Sequence, residues 1–217
     1  TLRNIITYKA GSLWDFKTEN IPAGATANNI SATDLGVSTT TERDNIVAYF
    51  RGSATPDNWK LGDVFRATPI TVGAPSAYFD DMRDTGASPN AFATHRTNHT
   101  RSSTGTNPKR IVLAGANDGQ LHAFKTGDGA EAWSFIPPNL LSRLKLIAHT
   151  AHPTTLTHQY YVDGPVTVAD VWTPAAASDG TSKQVADWHT LLVFGEGQAR
   201  GQTSGVPRPP AIPASAG

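Results

Sequence analysis

The strongest constraint on this chain lies between residues 110 and 138, RIVLAGANDGQLHAFKTGDGAEAWSFIPP. Three short runs, RIVLA (110–114), QLHAFK (120–125) and AWSFI (132–136), are rich in β-branched and aromatic residues. Each is strand-length and each is bounded by turn residues. Asn117, Asp118 and Gly119 make the first break, and Gly127, Asp128 and Gly129 the second. Asn and Asp tolerate φ > 0 and Gly adopts it freely, as two-residue hairpins demand. The segment therefore predicts consecutive antiparallel strands joined by tight turns. Leu121, Ala123 and Phe124 return to the core after the first turn. Pro137 and Pro138 end the last strand, and NLLSRLKLI (139–147) reads as a short helix.

The same punctuation recurs along the chain. RNIITY (3–8) and LWDFK (13–17) flank a KAGS turn; VFRATPITV (64–72), QYYVD (159–163), PVTVADV (165–171) and HTLLVF (189–194) read as further strands. A helix is expected over 41–52, with Thr41 as cap, Glu42 and Asp44 in its first turn, Arg51 in its last and Gly52 at its end. Residues 18–40 and the polar insertion at 80–109 read as long loops. There is also an internal echo. GDVFRATPITVG (62–73) resembles VDGPVTVAD (162–170), and RIVLAGANDG (110–119) resembles TLLVFGEGQA (190–199). A repeated antiparallel unit fits the four-stranded blade of a β-propeller, at about 40–50 residues per blade. On that period the chain holds about three to four blades, at or below the usual minimum for closure. The exposed edges of a partial propeller invite pairing. Another copy, a second chain or a larger assembly is expected to complete the sheet.

Composition narrows the function classes. The 217 residues hold 18 Lys+Arg against 18 Asp+Glu, so there is no electrostatic footprint for nucleic acid or anionic membrane. Without cysteine, disulfides, thiolate metal sites and a cysteine nucleophile are excluded. Charged residues make up 17%, and the abundance of Thr, Ser, Asn, Gly and Pro suits a loop-rich β protein outside the cytosol. No apolar run is long enough for a transmembrane helix, and TLRNIITYKAG at the start lacks the apolar stretch of a signal peptide. Two sequons, at Asn29 and Asn98, permit glycosylation only in a suitable host. Residues 201–217 are proline-rich and expected to be an extended, mobile tail.

Taken in order, four stretches resemble the C-terminal β-propeller of the type IV pilus PilY/PilC family. They are GANDGQLHAF (115–124) followed by Gly129, Glu131, Trp133 and FIPP (135–138); LGDV (61–64) with PITVGAP (69–75); YYVDGPVTVADV (160–171); and WHTLLVFG (188–195). The match runs from about residue 3 to 200. The chain departs from the family at Lys125-Thr126, at Arg66-Ala67 and after Gly197. The resemblance implies a mostly β, partial propeller of antiparallel four-stranded, quinoprotein-like blades over 1–200, with short helices and long loops. It implies a non-enzymatic, extracellular, cell-surface or periplasmic component that supports pilus assembly, adhesion or both. Its partners would be minor pilins, a second chain or a further copy. The family's calcium loop has no counterpart here, so no cofactor is expected.

The polar residues are read mainly as structure. Asn117, Asp118 and Gly119 serve as a hairpin, Trp133 as a packing anchor between blades, and Asp163 with Gly164 as a second structural pair. His122 is taken as a satisfied or solvent-facing strand histidine. Asp80, Asp81 and Asp84 form the one acidic knot and are weak calcium candidates. His95 and His99, four apart, have the spacing that serves zinc on a helix but are read as lying in a Thr/Asn/Arg loop with no Glu between them. His149, His152 and His158 are read as a chance loop cluster, and Ser102-Ser103 lacks the context of a hydrolase nucleophile. Two alternatives remain open: a fragment of a quinone-dependent dehydrogenase propeller, and a carbohydrate-binding propeller.

Overall fold

The computed structural model describes residues 3–18, 30–52, 61–76, 84, 90–102, 109–148, 159–174 and 180–197. The expected tail at 201–217 lies outside them, as do Asp80, Asp81, His149, His152 and His158. The described residues are mostly β, with short helices. Six strands form one open sheet: β1 (Ile5–Lys9), β2 (Ser12–Asp15), β3 (Ile70–Val72), β4 (Ile111–Gly115), β5 (Leu121–Lys125) and β6 (Glu131–Ile136). Their order is β2-β1-β6-β5-β4-β3. Two more, β7 (Val166–Trp172) and β8 (Trp188–Phe194), form a separate antiparallel hairpin. No closed propeller or barrel is present among the described residues.

The meander β3-β4-β5-β6 is antiparallel throughout, as the glycine-punctuated sequence predicts. The internal echo also has a structural counterpart. Its two copies supply equivalent strand pairs, β3 with β4 and β7 with β8. The KAGS turn is a two-residue loop with both φ values positive, Ala10 at 50° and Gly11 at 81°. What the pattern did not reveal is β1 lying parallel to β6, with Ile5 opposite Ser134 and Thr7 opposite Ile136.

Two sequence strands are corrected. Only 70–72 of the expected 64–72 pairs, because Pro69 lacks a donor and the Arg66 N–H goes instead to Asp163 Oδ1 at 2.8 Å. Residues 159–163 form no strand. Their backbone bonds run to the β4–β5 turn: Tyr161 N–H to Asn117 Oδ1 (3.1 Å) and Val162 N–H to Ala116 O (3.3 Å).

Helix α1 (Thr40–Arg51) starts one residue before the expected span, and its cap is Thr39 rather than Thr41. The Thr39 hydroxyl accepts from Glu42 N–H (3.2 Å) while the Glu42 carboxylate accepts from Thr39 N–H (3.0 Å), a capping box. Gly52 ends it in the left-handed conformation. A second helix, α2 (Ala91–Asn98), stands inside the stretch read as an insertion loop; Asn90 caps it by accepting from Phe92 and Ala93 N–H. Polar composition hid it, since only Ala91, Phe92 and His95 face inward. The segment after Pro137 is a 3₁₀ helix, Pro138–Leu146.

The six-stranded sheet carries a core cluster on each face. On one side Ile5 and Ile136 pack with Phe16, Ile46, Val47, Phe50 and Leu144, under α1 and the 3₁₀ helix. On the other, Leu113, Leu121 and Ala123 meet Val166, Val168, Leu192 and Phe194 of the hairpin. Helix α2 closes one end of the hairpin, with Phe92 against Trp188 at 4.7 Å between ring centroids.

Candidate functional site

The site grows from the β4–β5 turn. Gly119 N–H bonds Ala116 O (3.2 Å) and Ala116 N–H bonds Gln120 O (3.0 Å), leaving a three-residue loop. Gly119 alone takes positive φ, +85°, while Asn117 and Asp118 do not. This corrects the two-residue hairpin: it is a turn closed by one left-handed glycine. A Cβ on Gly119 would also sit 3.0 Å from Leu144 Cδ2.

Freed from the left-handed region, Asn117 and Asp118 turn inward and are buried. Asn117 Nδ2 donates to Asp63 Oδ2 (2.8 Å), and its N–H donates to Asp63 O (3.0 Å). Asp118 accepts from Gly62 N–H (2.9 Å) and Gln120 N–H (3.0 Å). Gly62 is required by closeness, since a Cβ there would lie 2.5 Å from Asp118 N. One turn thus ties down the 61–63 and 160–162 loops. Asp163, 2% exposed, holds Arg66 N–H, and Gly164 N–H bonds Gly195 O at 3.0 Å.

A charge chain continues from Asp118 through the sheet. His122 is fully buried, with Nε2 2.9 Å from Asp118 Oδ2 and Nδ1 2.7 Å from Glu131 Oε1. Arg3 grips Glu131 bidentately, both contacts 2.6 Å, and donates to Phe50 O at the end of α1. The signs alternate: Arg3 positive, Glu131 negative, His122 positive, Asp118 negative. Burial by itself would lower the His122 pKa. The charge and hydrogen bond of Asp118, then those of Glu131, outweigh it and raise the value to about 9. Burial pushes Glu131 the other way, but the Arg3 fork and His122 hold its carboxyl down at about 2.

This chemistry is static. Both imidazole nitrogens face carboxylates and the ring has no exposed surface, so His122 offers no open lone pair and no route for a substrate. The charge chain works as a tie between the segment leading into β1, strands β5 and β6, and α1. His122 is thus a satisfied buried histidine, one of the two readings its sequence left open. Its partners Arg3 and Glu131 were missed as a charge pair, because they lie 128 residues apart. The only local signal was a histidine between Leu121 and Ala123 in a strand buried on both faces.

The other candidates fall elsewhere. Asp84 accepts from Ala91 N–H (3.0 Å) and Lys183 N–H (3.3 Å), tying α2 to the 183 segment. His95 and His99 do share a helix and its cap, with rings 4.2 Å apart, but His95 Nε2 faces Asp170 (3.1 Å) and His99 Nδ1 faces His95 O (2.8 Å). Among the described residues, no three His, Asp or Glu converge as a metal site. Trp133 lines an apolar groove of about 320 Å³ with Asn4, Ile6, Leu121, Phe135, Leu192 and Phe194, between the large sheet and β8.

No family model matches the chain, and no solved structure does. Curated proteins do. It is 37% identical over 114 residues to a type IV pilus biogenesis factor PilY1 homolog of Xylella fastidiosa, covering 52% of this chain and 8% of that protein. It is 31% identical over 163 residues to type IV pilus biogenesis factor PilY1 of Pseudomonas aeruginosa strain PAK, covering 70% of this chain and 12% of that protein. The chain therefore spans about a tenth of the length of these relatives. By that shared stretch, the chain belongs to a PilY1-like family.

Proposed function

We propose that this chain is a non-enzymatic component of type IV pilus biogenesis, acting in the periplasm or at the cell surface through protein contacts, with minor pilins as its partners. The observation that carries this is the similarity to PilY1 over 70% of the chain. The buried charge chain agrees with it, since its histidine is spent on structure. No helix among the described residues is long and apolar enough to cross a membrane. The reading needs no cofactor, and it extends to adhesion as a second role of the same surface. The relatives named above support neither the dehydrogenase nor the carbohydrate-binding alternative.

We read the architecture as part of a propeller. The support is the antiparallel run β3-β4-β5-β6 within the six-stranded sheet, and the separate antiparallel pair β7-β8 packed on it.

The test is deletion of the gene in the bacterium that encodes it, with surface pili counted by electron microscopy. Pilus number should fall and return on complementation. Unchanged pilus number in the deletion strain overturns the biogenesis role. Retained pili with lost surface attachment would assign the chain to adhesion alone.

A further inference from the structure

We draw no further inference here: the strongest candidate, the buried carboxylate of Asp163 in the loop before β7, whose Oδ2 accepts no hydrogen bond, carries nothing, because the Arg66 guanidinium already stands 3.9 Å from that oxygen and no cluster of three His, Asp or Glu forms among the described residues to hold a ligand with it.

Discussion

The meander β3–β6 and the hairpin β7–β8 share one sequence repeat, at β3–β4 and β7–β8, yet they end in different states. The meander is finished. Strands β4, β5 and β6 have neighbours on both sides, β3 is a short edge, and the buried polar groups are paired through Asn117, Asp118, His122 and Glu131. The hairpin is half finished. Its inner face packs on the meander, but Leu191 is 46% and Val193 67% exposed on the other. A run of apolar residues on both faces is the pattern of a strand buried on both sides. The difference teaches that equivalent sequence does not secure equivalent burial; the neighbours supply it.

Four experiments break or sharpen this contrast. The largest effect is expected at Glu131→Ala, which leaves Arg3 and His122 buried without their shared anion and should cost about 3–5 kcal/mol in urea unfolding. A loss under about 1 kcal/mol would mean the charge chain does not hold the meander together.

Second comes a paired truncation. Leu121→Ala, fully buried, should cost about 2–5 kcal/mol, whereas Val193→Ala should stay within about 0.5 kcal/mol. Similar losses at the two sites would erase the distinction between finished and unfinished regions.

Third is pH. The folded His122 pKa, about 9, lies above its ordinary value of 6.5, so protonation favours the fold. That stability is complete below pH 6.5 and is lost as pH rises through about 9, by on the order of 3 kcal/mol. Glu131 runs the other way: its contribution is present above 4.5 and fades as pH falls toward 2. Denaturation midpoints across this range should slope downward on the alkaline side for the native chain and flatten in H122Q.

Fourth, Gly119→Val should cost about 1–2 kcal/mol for its left-handed φ alone, before any contact with Leu144. Asp118→Asn sharpens the same point. If the turn needed only polarity, the change would be silent. The Asp118 carboxylate instead takes Gly62 N–H, Gln120 N–H and His122, and an amide would set a donor against one of them. The expected result is a measurable loss of stability with the alkaline slope reduced.

Legibility followed range. The meander, the KAGS turn, the Gly52 stop and the short helix after Pro137 were readable, because each depends on residues within a few positions. Thr39 displaced Thr41 as the cap because the capping box needs Glu42 three residues on, a spacing the sequence does contain. Helix α2 was hidden by polar composition, its fit resting on Trp188 and Asp170 far along the chain. Residues 159–163 looked like a strand by composition alone, yet their backbone partners lie in the 116–117 turn. Arg3, at the head of an ordinary β-branched run, gave no sign of its carboxylate.

The sequence by itself determined where strands begin and reverse, and which stretches carry the family likeness, because glycine conformation and side-chain alternation are local properties. Only the tertiary structure decided that β1 runs parallel to β6, that His122 is buried between two carboxylates, and that Leu191 and Val193 of β8 stand exposed. Each depends on which distant groups share one dehydrated space, and a carboxylate's partner there is chosen by proximity in three dimensions.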